Sequence, residues 1–218
     1  MGECLRTSQE RPDAAVVEHA AEVLRAQGVI VTPTDSVYGL ACAATPNNPA
    51  HQRIFAIKHR ALTQTLPWFV ADVQDLARYG ADVPAWAHRL ADAFWPGALT
   101  LVVRASAAVP SEYAQPGATP DAPATIALRV PGSAFVRELV RAVGTPLAQT
   151  SANTHGAPSA ASGAAVEPAI AEAVELVIDA GPAPVGVAST IVDATGPAPR
   201  VLRGGALTAE QVLSAARA

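Results

Sequence analysis

Two polar segments of the chain carry residue types that could bind an anionic substrate. The first is segment 32–40, TPTDSVYGL, which is followed by Lys58 and Arg60; the second is segment 150–159, TSANTHGAPS. In each, an apolar strand-like run gives way to hydroxyl, amide and glycine residues, which is where α/β proteins bind ligands. Lys58 and Arg60 suit an anion, and the hydroxyl and amide groups suit neutral hydrogen bonds. Together the two segments predict a nucleotide or phosphate site.

The same residues also have ordinary structural explanations. Lys58 and Arg60 follow a predicted helix, where cations interact favourably with the C-terminal end of the helix dipole. Ser151 and Asn153 are typical turn residues, and Asp35 is a potential N-cap. The sequence contains none of the signatures G-x-x-x-x-G-K-[ST], G-x-G-x-x-G, H-E-x-x-H and G-x-S-x-G. The two segments alone therefore leave the choice between local structure and a phosphate clamp open.

Composition narrows the class of protein. Of 218 residues, 50% are hydrophobic and 16% charged, which indicates a globular domain. The net charge of −4 disfavours a protein that binds nucleic acids mainly through their phosphates, although a local basic groove is compatible with this charge. The five histidines lack metal-ligand spacing, so no resident metal site is predicted. Without a signal peptide or an apolar run of ~20 residues, we predict a cytoplasmic protein with no membrane contact. Cys4 and Cys42 are expected to be free thiols.

The elements that must position the polar segments alternate between helix and strand, which predicts an α/β or α+β domain. Periodicity and capping residues predict helices over 14–27, 49–58, 72–79, 84–94, 132–143, 164–174 and 208–216. Strands are predicted over 29–31, 66–70, 99–103, 125–130, 146–149, 176–179, 190–193 and 200–203. Residues 1–13 are expected to be a loose leader, 14–207 one domain, and 208–218 a closing helix.

The predicted strand over 125–130 carries two candidate site residues behind a long loop. Thr125 and Arg129 are four positions apart and therefore share one face of the strand. The preceding residues, 105–124, contain four prolines and no periodicity. We predict that this loop is a cover over the site, the alternative being a surface excursion without a role.

Seven motifs occur in a fixed order along the chain. They are 33–40 PTDSVYGL, 57–60 IKHR, 95–100 WPGALT, 127–131 ALRVP, 151–159 SANTHGAPS, 186–193 GVASTIVD and 201–205 VLRGG. In this order they resemble the YrdC-like threonylcarbamoyl-AMP synthase family, in its short single-domain form. The resemblance covers residues 14–206 and makes 14–207 a catalytic domain. It implies a twisted open mixed α/β sheet flanked by helices, with a concave polar cavity.

The resemblance also implies a reaction. A family member is an L-threonylcarbamoyladenylate synthase, a nucleotidyltransferase that makes threonylcarbamoyl-AMP from L-threonine, bicarbonate and ATP and releases pyrophosphate. The product serves the N6-threonylcarbamoyladenosine (t6A) modification of tRNA. Mg²⁺ is expected to enter bound with ATP. Downstream tRNA threonylcarbamoyl-transfer proteins are the expected partners, and weak RNA binding is left open.

Family positions carry over to residues of this chain. The resemblance implies a catalytic set of Lys58, Arg60, Ser151 and Asn153. It implies ATP binding by Arg60, Gln64, Thr125, Ser151, Ser159 and Arg203. It implies threonine binding by Thr34, Phe69, Arg129, Gln149 and Ser189, with Arg129 pairing with the carboxylate. No metal-binding residue is implied.

Several positions depart from the family pattern. The usual K-x-R-P-x-x-[KN]-P is KHRALTQT at 58–65, so that both prolines are missing. The usual glutamate of G-V-E-S-T is Ala188, and the usual proline of L-R-P-G is Gly204. Two alternatives follow: a divergent paralogue that forms or uses a carbamoyl-adenylate for another acceptor, and a double-stranded RNA-binding module. For the paralogue, Phe69 and Gln149 are the positions expected to influence the choice of acceptor. The acidic composition disfavours the RNA-binding module.

Overall fold

The computed structural model describes residues 3–59, 65–154 and 156–217. Within them the helices are α1 Ala14–Arg25, α2 Pro49–Ile57, α3 Asp75–Tyr79, α4 Ala85–Phe94, α5 Ala134–Val143, α6 Pro168–Ala173 and α7 Ala209–Arg217. The strands are β1 Glu3–Arg6, β2 Ile30–Thr32, β3 Gly39–Ala43, β4 Trp68–Phe69, β5 Gly80–Ala81, β6 Leu99–Ala105, β7 Thr125–Arg129, β8 Leu147–Ser151, β9 Leu176–Asp179, β10 Thr190–Asp193 and β11 Arg200–Arg203.

The described strands form one mixed sheet. Their order is β1-β9-β2-β3-β8-β4-β7-β6-β10-β11, and β5 pairs with the carboxyl end of β6. The centre, β2-β3-β8-β4, is antiparallel, whereas β4 and β7 run parallel, as do β6 and β10. This twisted mixed sheet with flanking helices confirms the predicted fold class.

The two faces of the sheet are covered to different extents. On one face, strand residues such as Leu101 and Leu128 share a core with residues of α2, α3, α4, α6 and α7. On the other face, Leu147 shares a second core with α1 and α5, which pack against each other. These two helices cover only part of their face. The uncovered part is where the chain places its polar residues.

Strand alternation decides which residues reach the uncovered face. Gly39 lies on the same side of β3 as the core residue Ala41, and Gln149 lies on the same side of β8 as Leu147. Thr125 and Arg129 share that face on β7, as predicted. The polar residues therefore continue the face of the second core beyond the helices that cover it.

Among the described residues 3–13, the prediction of a loose leader is wrong for Glu3–Arg6, which form β1 and pair in parallel with β9. Most of its side chains are exposed, so it carries no apolar alternation that would have indicated a strand. Backbone hydrogen bonds hold it, and Thr7 continues them by donating its N–H to the Asp179 carbonyl at 3.0 Å. The closing helix is present as α7 and begins after Thr208, whose Oγ1 accepts a bond from the Gln211 N–H at 3.1 Å.

Three other local expectations need correction. The helix predicted over 72–79, with Asp72 as its N-cap, begins only at Asp75; the Asp72 carboxylate instead accepts a hydrogen bond from Arg141 at 2.6 Å. The predicted helix over 164–174 is divided into a 3-10 turn, Gly163–Ala165, and α6, which Pro168 opens. Strand β3 was missed because its sequence, GLACA, has little strand propensity.

The long segment 105–124 has two parts. Its first half is packed: Tyr113 is fully buried, and its hydroxyl donates to the Thr45 carbonyl at 2.8 Å. Gln115 then exchanges two backbone hydrogen bonds of 2.8 Å with Thr125. Residues 116–124, by contrast, are exposed or half-buried, so we assign the predicted covering role to them. None of the described helices is long and apolar enough to cross a bilayer.

Candidate functional site

The uncovered part of the sheet forms an open cavity of about 130 Å³. The residues predicted to bind threonine all line it: Thr34, Phe69, Arg129, Gln149 and Ser189. Three of the residues predicted to bind ATP line it as well, namely Ser151, Ser159 and Arg203. The cavity thus brings together residues from seven strands, β3, β4, β6, β7, β8, β10 and β11, and from the loops between them.

Arg129 is the buried cation of the cavity. Its guanidinium donates from Nε to the Gly97 carbonyl at 2.9 Å, from Nη1 to Ser36 Oγ at 2.8 Å and from Nη2 to Asp35 Oδ1 at 2.7 Å. The group also lies over the Phe69 ring, 5.2 Å from its centroid. Burial lowers the pKa of Arg129 from its ordinary value and the Asp35 carboxylate opposes this, so the guanidinium stays charged. Two of its N–H groups remain for a ligand.

Asp35 is a functional candidate that sequence reasoning missed. It lies in the loop between β2 and β3 and caps no helix. Besides Arg129, its Oδ1 accepts the Gly132 N–H at 3.0 Å, and its carbonyl accepts the Val185 N–H at 2.9 Å. A Cβ on Gly132 would lie only 3.0 Å from the Asp35 side chain. The carboxylate therefore fixes Arg129, and the carboxylate and the backbone carbonyl of Asp35 together join the loops of Asp35, Gly132 and Val185. The Asp-Ser pair inside the first polar segment was the only available signal.

Several hydroxyl groups of the cavity wall, those of Thr34, Thr100 and Ser189, are already hydrogen-bonded. Thr34 Oγ1 donates to the Val37 carbonyl at 2.7 Å. Thr100 and Ser189 share a hydrogen bond of 2.9 Å, and Arg203 Nη2 donates to the Ser189 carbonyl at 2.8 Å. Burial lowers the pKa of Arg203 from its ordinary value. These bonds hold the walls in one geometry before any ligand enters.

Lys58 and Asn153 do not line the cavity but hold the loop that does. Lys58 Nζ donates to the carbonyls of Ser151 at 2.6 Å and of Asn153 at 2.5 Å. The Asn153 amide donates to the carbonyls of Thr154 and Ala157 at 2.9 and 2.7 Å. Both residues are buried. Their assignment to the catalytic set stays a prediction.

Thr125 lies outside the cavity, in an open groove that continues along the same face. The residues that line the groove include Gln115, residues 116–118 and Thr125. They also include two arginines, Arg104 and Arg200. Thr125 and Arg129 thus connect the groove to the cavity along β7. Arg60 and Gln64, the remaining predicted ATP residues, lie outside the described residues.

No group of three or more His, Cys, Asp or Glu residues that could hold a metal ion lies within 3–59, 65–154 and 156–217. The carboxylate of Asp35, next to the cavity, is engaged with Arg129.

Comparison with known proteins identifies the family. The Sua5/YciO/YrdC family model, described as "Telomere recombination", matches residues 22–205. The chain belongs to this family. The predicted resemblance is thereby confirmed, and the cavity described above is that of a Sua5/YciO/YrdC domain.

Relatives within the family carry more specific names. The threonylcarbamoyl-AMP synthase of Bacillus subtilis (strain 168) is 33% identical over 196 residues, covering 90% of this chain and 55% of that protein. The putative threonylcarbamoyl-AMP synthase of Mycobacterium tuberculosis (strain ATCC 25618 / H37Rv) is 35% identical over 193 residues, covering 88% of this chain and 85% of that protein. The structure of Sua5 from P. abyssi complexed with L-threonine matches with a TM-score of 0.85 and 32% identity, covering 99% of this chain and 60% of that one. The chain therefore spans little more than half of the Bacillus and P. abyssi proteins.

Proposed function

We propose that this protein is a threonylcarbamoyl-AMP synthase. It would join L-threonine, bicarbonate and ATP into threonylcarbamoyl-AMP and release pyrophosphate. The observation that carries the proposal is the meeting of all five predicted threonine-binding residues with Ser151, Ser159 and Arg203 on one cavity. The names of the relatives and the threonine complex of P. abyssi Sua5 support it.

The amino acid would be anchored by its carboxylate. Arg129 has two N–H groups left after its bonds to Gly97, Ser36 and Asp35, and a carboxylate accepts such a pair. Asp35 holds the guanidinium from behind, so that little reorganisation is needed when the substrate binds. Thr34 and Ser189 would complete the pocket around the substrate.

The chemistry needs positioning and charge neutralisation rather than a covalent nucleophile. The threonine amine attacks the bicarbonate carbon, a C–N bond forms, and water leaves to give the carbamate. A carbamate oxygen then attacks the α-phosphorus of ATP, and pyrophosphate leaves. Negative charge persists throughout, and Arg203 with the Ser151 and Ser159 hydroxyls would stabilise it at the cavity mouth.

ATP would enter as its Mg²⁺ complex. Mg²⁺ keeps several waters and binds phosphate oxygens readily, which agrees with the lack of a carboxylate cluster among the described residues. Thr125 would contact the nucleotide from the groove, together with Arg60 and Gln64. Lys58 and Asn153 would act by holding the loop that carries Ser151. Delivery of the product to tRNA threonylcarbamoyl-transfer proteins, weak RNA binding and a cytoplasmic location belong to the same proposal.

The test is pyrophosphate release by the purified chain with each substrate omitted in turn. Release should require ATP, bicarbonate and L-threonine together. Release with ammonia or serine but not threonine would contradict the proposal.

That outcome would favour a second candidate, a paralogue that carbamoylates a different acceptor. It is supported by the cavity wall, where Phe69 and Gln149 supply an aromatic ring and a carboxamide and Ala188 supplies no charge. The two candidates share the formation of a carbamoyl-adenylate and differ only in the acceptor that is carbamoylated.

A further inference from the structure

The loop between Ser151 and Ser159 is held at both ends by the backbone of one residue. The N–H of Tyr38 donates to the Ala160 carbonyl at 2.8 Å, and the Tyr38 carbonyl accepts the Ala152 N–H at the same distance. These two bonds fix the neighbours of Ser151 and Ser159, both of which line the cavity. They do not reach the middle of the loop.

The middle of the loop is held by two side chains of opposite charge. The buried Lys58 donates to the carbonyls of Ser151 and Asn153, as described above. Glu167 accepts two hydrogen bonds from Thr154: its Oε1 accepts the backbone N–H at 2.8 Å, and its Oε2 accepts the hydroxyl at 2.6 Å. The cation thus binds acceptors of the loop, and the anion binds donors.

The place of Glu167 in its own helix distinguishes this contact from ordinary capping. Glu167 is the N-cap residue of α6, where a side-chain oxygen commonly accepts an N–H of the first helical turn. The Glu167 side chain makes no such bond, and only its backbone carbonyl accepts the N–H groups of Ile170 and Ala171, at 2.9 and 3.0 Å. The carboxylate instead reaches thirteen residues back along the chain to Thr154.

The charge of Glu167 suits this contact. The hydroxyl and the N–H of Thr154 lower the pKa of Glu167, and the Lys58 cation lowers it further. Because the carboxylate is ionised at neutral pH, both of its oxygens act as acceptors. Thr154 transmits the restraint along the loop, since its carbonyl accepts the Ala157 N–H at 3.0 Å and the Asn153 amide at 2.9 Å.

We propose that Glu167 is a positioning residue for the nucleotide: by holding Thr154, it fixes the turn that places the hydroxyls of Ser151 and Ser159. The inference rests on the proposed function, because it takes these two hydroxyls as groups that bind ATP. Glu167 itself does not line the cavity. Since a displacement of about 1 Å is enough to impair a binding group, loss of the Glu167 contact should weaken ATP binding. Threonine binding should not change, because the residues predicted for it lie outside the loop.

The test compares two variants of Glu167. Glu167→Met keeps the length of the side chain without its acceptors, whereas Glu167→Gln retains one carbonyl oxygen for the Thr154 N–H. Calorimetry measures the affinities for ATP and for threonine separately. Because a positioning contact is lost, ATP should bind about tenfold more weakly to Glu167→Met, and to Glu167→Gln within about threefold of the wild type. Threonine affinity should be unchanged in both variants.

Two further measurements separate positioning from a general disturbance. Glu172→Met makes the same chemical change at an exposed position of α6 and should leave ATP affinity as it is. Hydrogen exchange of the Ala152, Asn153 and Thr154 amides should be faster in Glu167→Met than in the wild type, because the loop opens more often. Thermal unfolding of each variant verifies that it folds.

The outcomes distinguish this role from the proposed function. A selective loss of ATP affinity in Glu167→Met, without pyrophosphate release by the wild type, would support the role of Glu167 and contradict the proposed function. Unchanged ATP affinity in Glu167→Met, with pyrophosphate release by the wild type, would do the reverse. Equal losses of ATP affinity in Glu167→Met and Glu172→Met, or a parallel loss of threonine affinity, would overturn the role of Glu167. Equal losses in Glu167→Met and Glu167→Gln would contradict positioning through the Thr154 hydrogen bonds.

Discussion

The cavity and the groove beside it lie on the same face of the sheet but are built differently. In the cavity, the buried pair Arg129–Asp35 is joined at 2.7 Å and bonded to three loops. In the groove, Arg104 and Arg200 reach Asp82 and Asp193, but both arginine side chains are largely exposed, at 41% and 73%. The cavity is thus preorganised, whereas the groove is open. If the cavity binds the amino acid and the groove binds the nucleotide, as proposed, the fold fixes the contacts of the amino acid and leaves the nucleotide with fewer fixed contacts.

The largest effect is expected from breaking the buried pair. Arg129→Met leaves the Asp35 carboxylate buried without its cation, which should lower the free energy of unfolding by about 3–5 kcal/mol and abolish threonine binding. Denaturant unfolding and calorimetry measure the two effects. The double variant Arg129→Met with Asp35→Leu should recover much of the stability but not the binding. Threonine affinity that survived in the double variant would contradict the role of Arg129.

A smaller effect is expected at the cavity mouth. Arg203→Ala should weaken ATP binding by about 1.5–3 kcal/mol, the range for a charged hydrogen bond that is lost, with little effect on threonine affinity. Arg6→Ala, on β1 at the opposite edge of the sheet, is the matched control, because this exposed arginine lines neither the cavity nor the groove and should leave ATP affinity as it is. Equal losses of ATP affinity in Arg203→Ala and Arg6→Ala would contradict a direct role of Arg203 in ATP binding.

Lys58 should act through the loop that it holds. Lys58→Met removes the donor to the Ser151 and Asn153 carbonyls, so we expect kcat to fall by about tenfold or more while threonine affinity changes little. Steady-state kinetics with either substrate varied separate the two parameters. A rise in the KM for threonine alone, with kcat retained, would place Lys58 in threonine binding instead.

The smallest effect concerns residues 116–124, the open rim of the groove. If they cover the nucleotide end, ATP with threonine should slow proteolysis within this segment several-fold. Cleavage near Tyr113 should be slow in both states, because that residue is buried. Equal cleavage within 116–124 with and without substrates would show that the segment has no covering role.

The sequence predicted most elements of the sheet and the family, but not the contacts that organise the site. Helix ends followed from local signals, for example Asn48, whose side chain accepts the Ala50 N–H at the start of α2. Strands β1 and β3 were not predicted, because neither shows apolar alternation in its sequence. Strand β1 lies exposed at an edge of the sheet, and β3 consists mainly of small residues. Hydrophobic periodicity in a sequence indicates which side chains are buried. These two strands are held in the sheet by backbone hydrogen bonds, which leave no such pattern.

The same limit applies to the site. The resemblance selected the residues that line the cavity, including Arg129 and Ser189. It did not reveal that Asp35 holds Arg129 or that Lys58 supports the loop of Ser151, because these contacts join residues more than ninety positions apart. Such pairs follow from the order of the strands, which no local pattern of residues encodes.

The packing of Gln149 over Gly39 ties the evolution of two positions together. A side chain added at position 39 would occupy the volume of the Gln149 carboxamide, so the end of the glutamine side chain would have to move. Substitutions at the two positions are therefore expected to be coupled. Sequence variation across natural variants should be correlated at these positions, and a double-mutant cycle of Gly39→Ala and Gln149→Ala should be strongly non-additive.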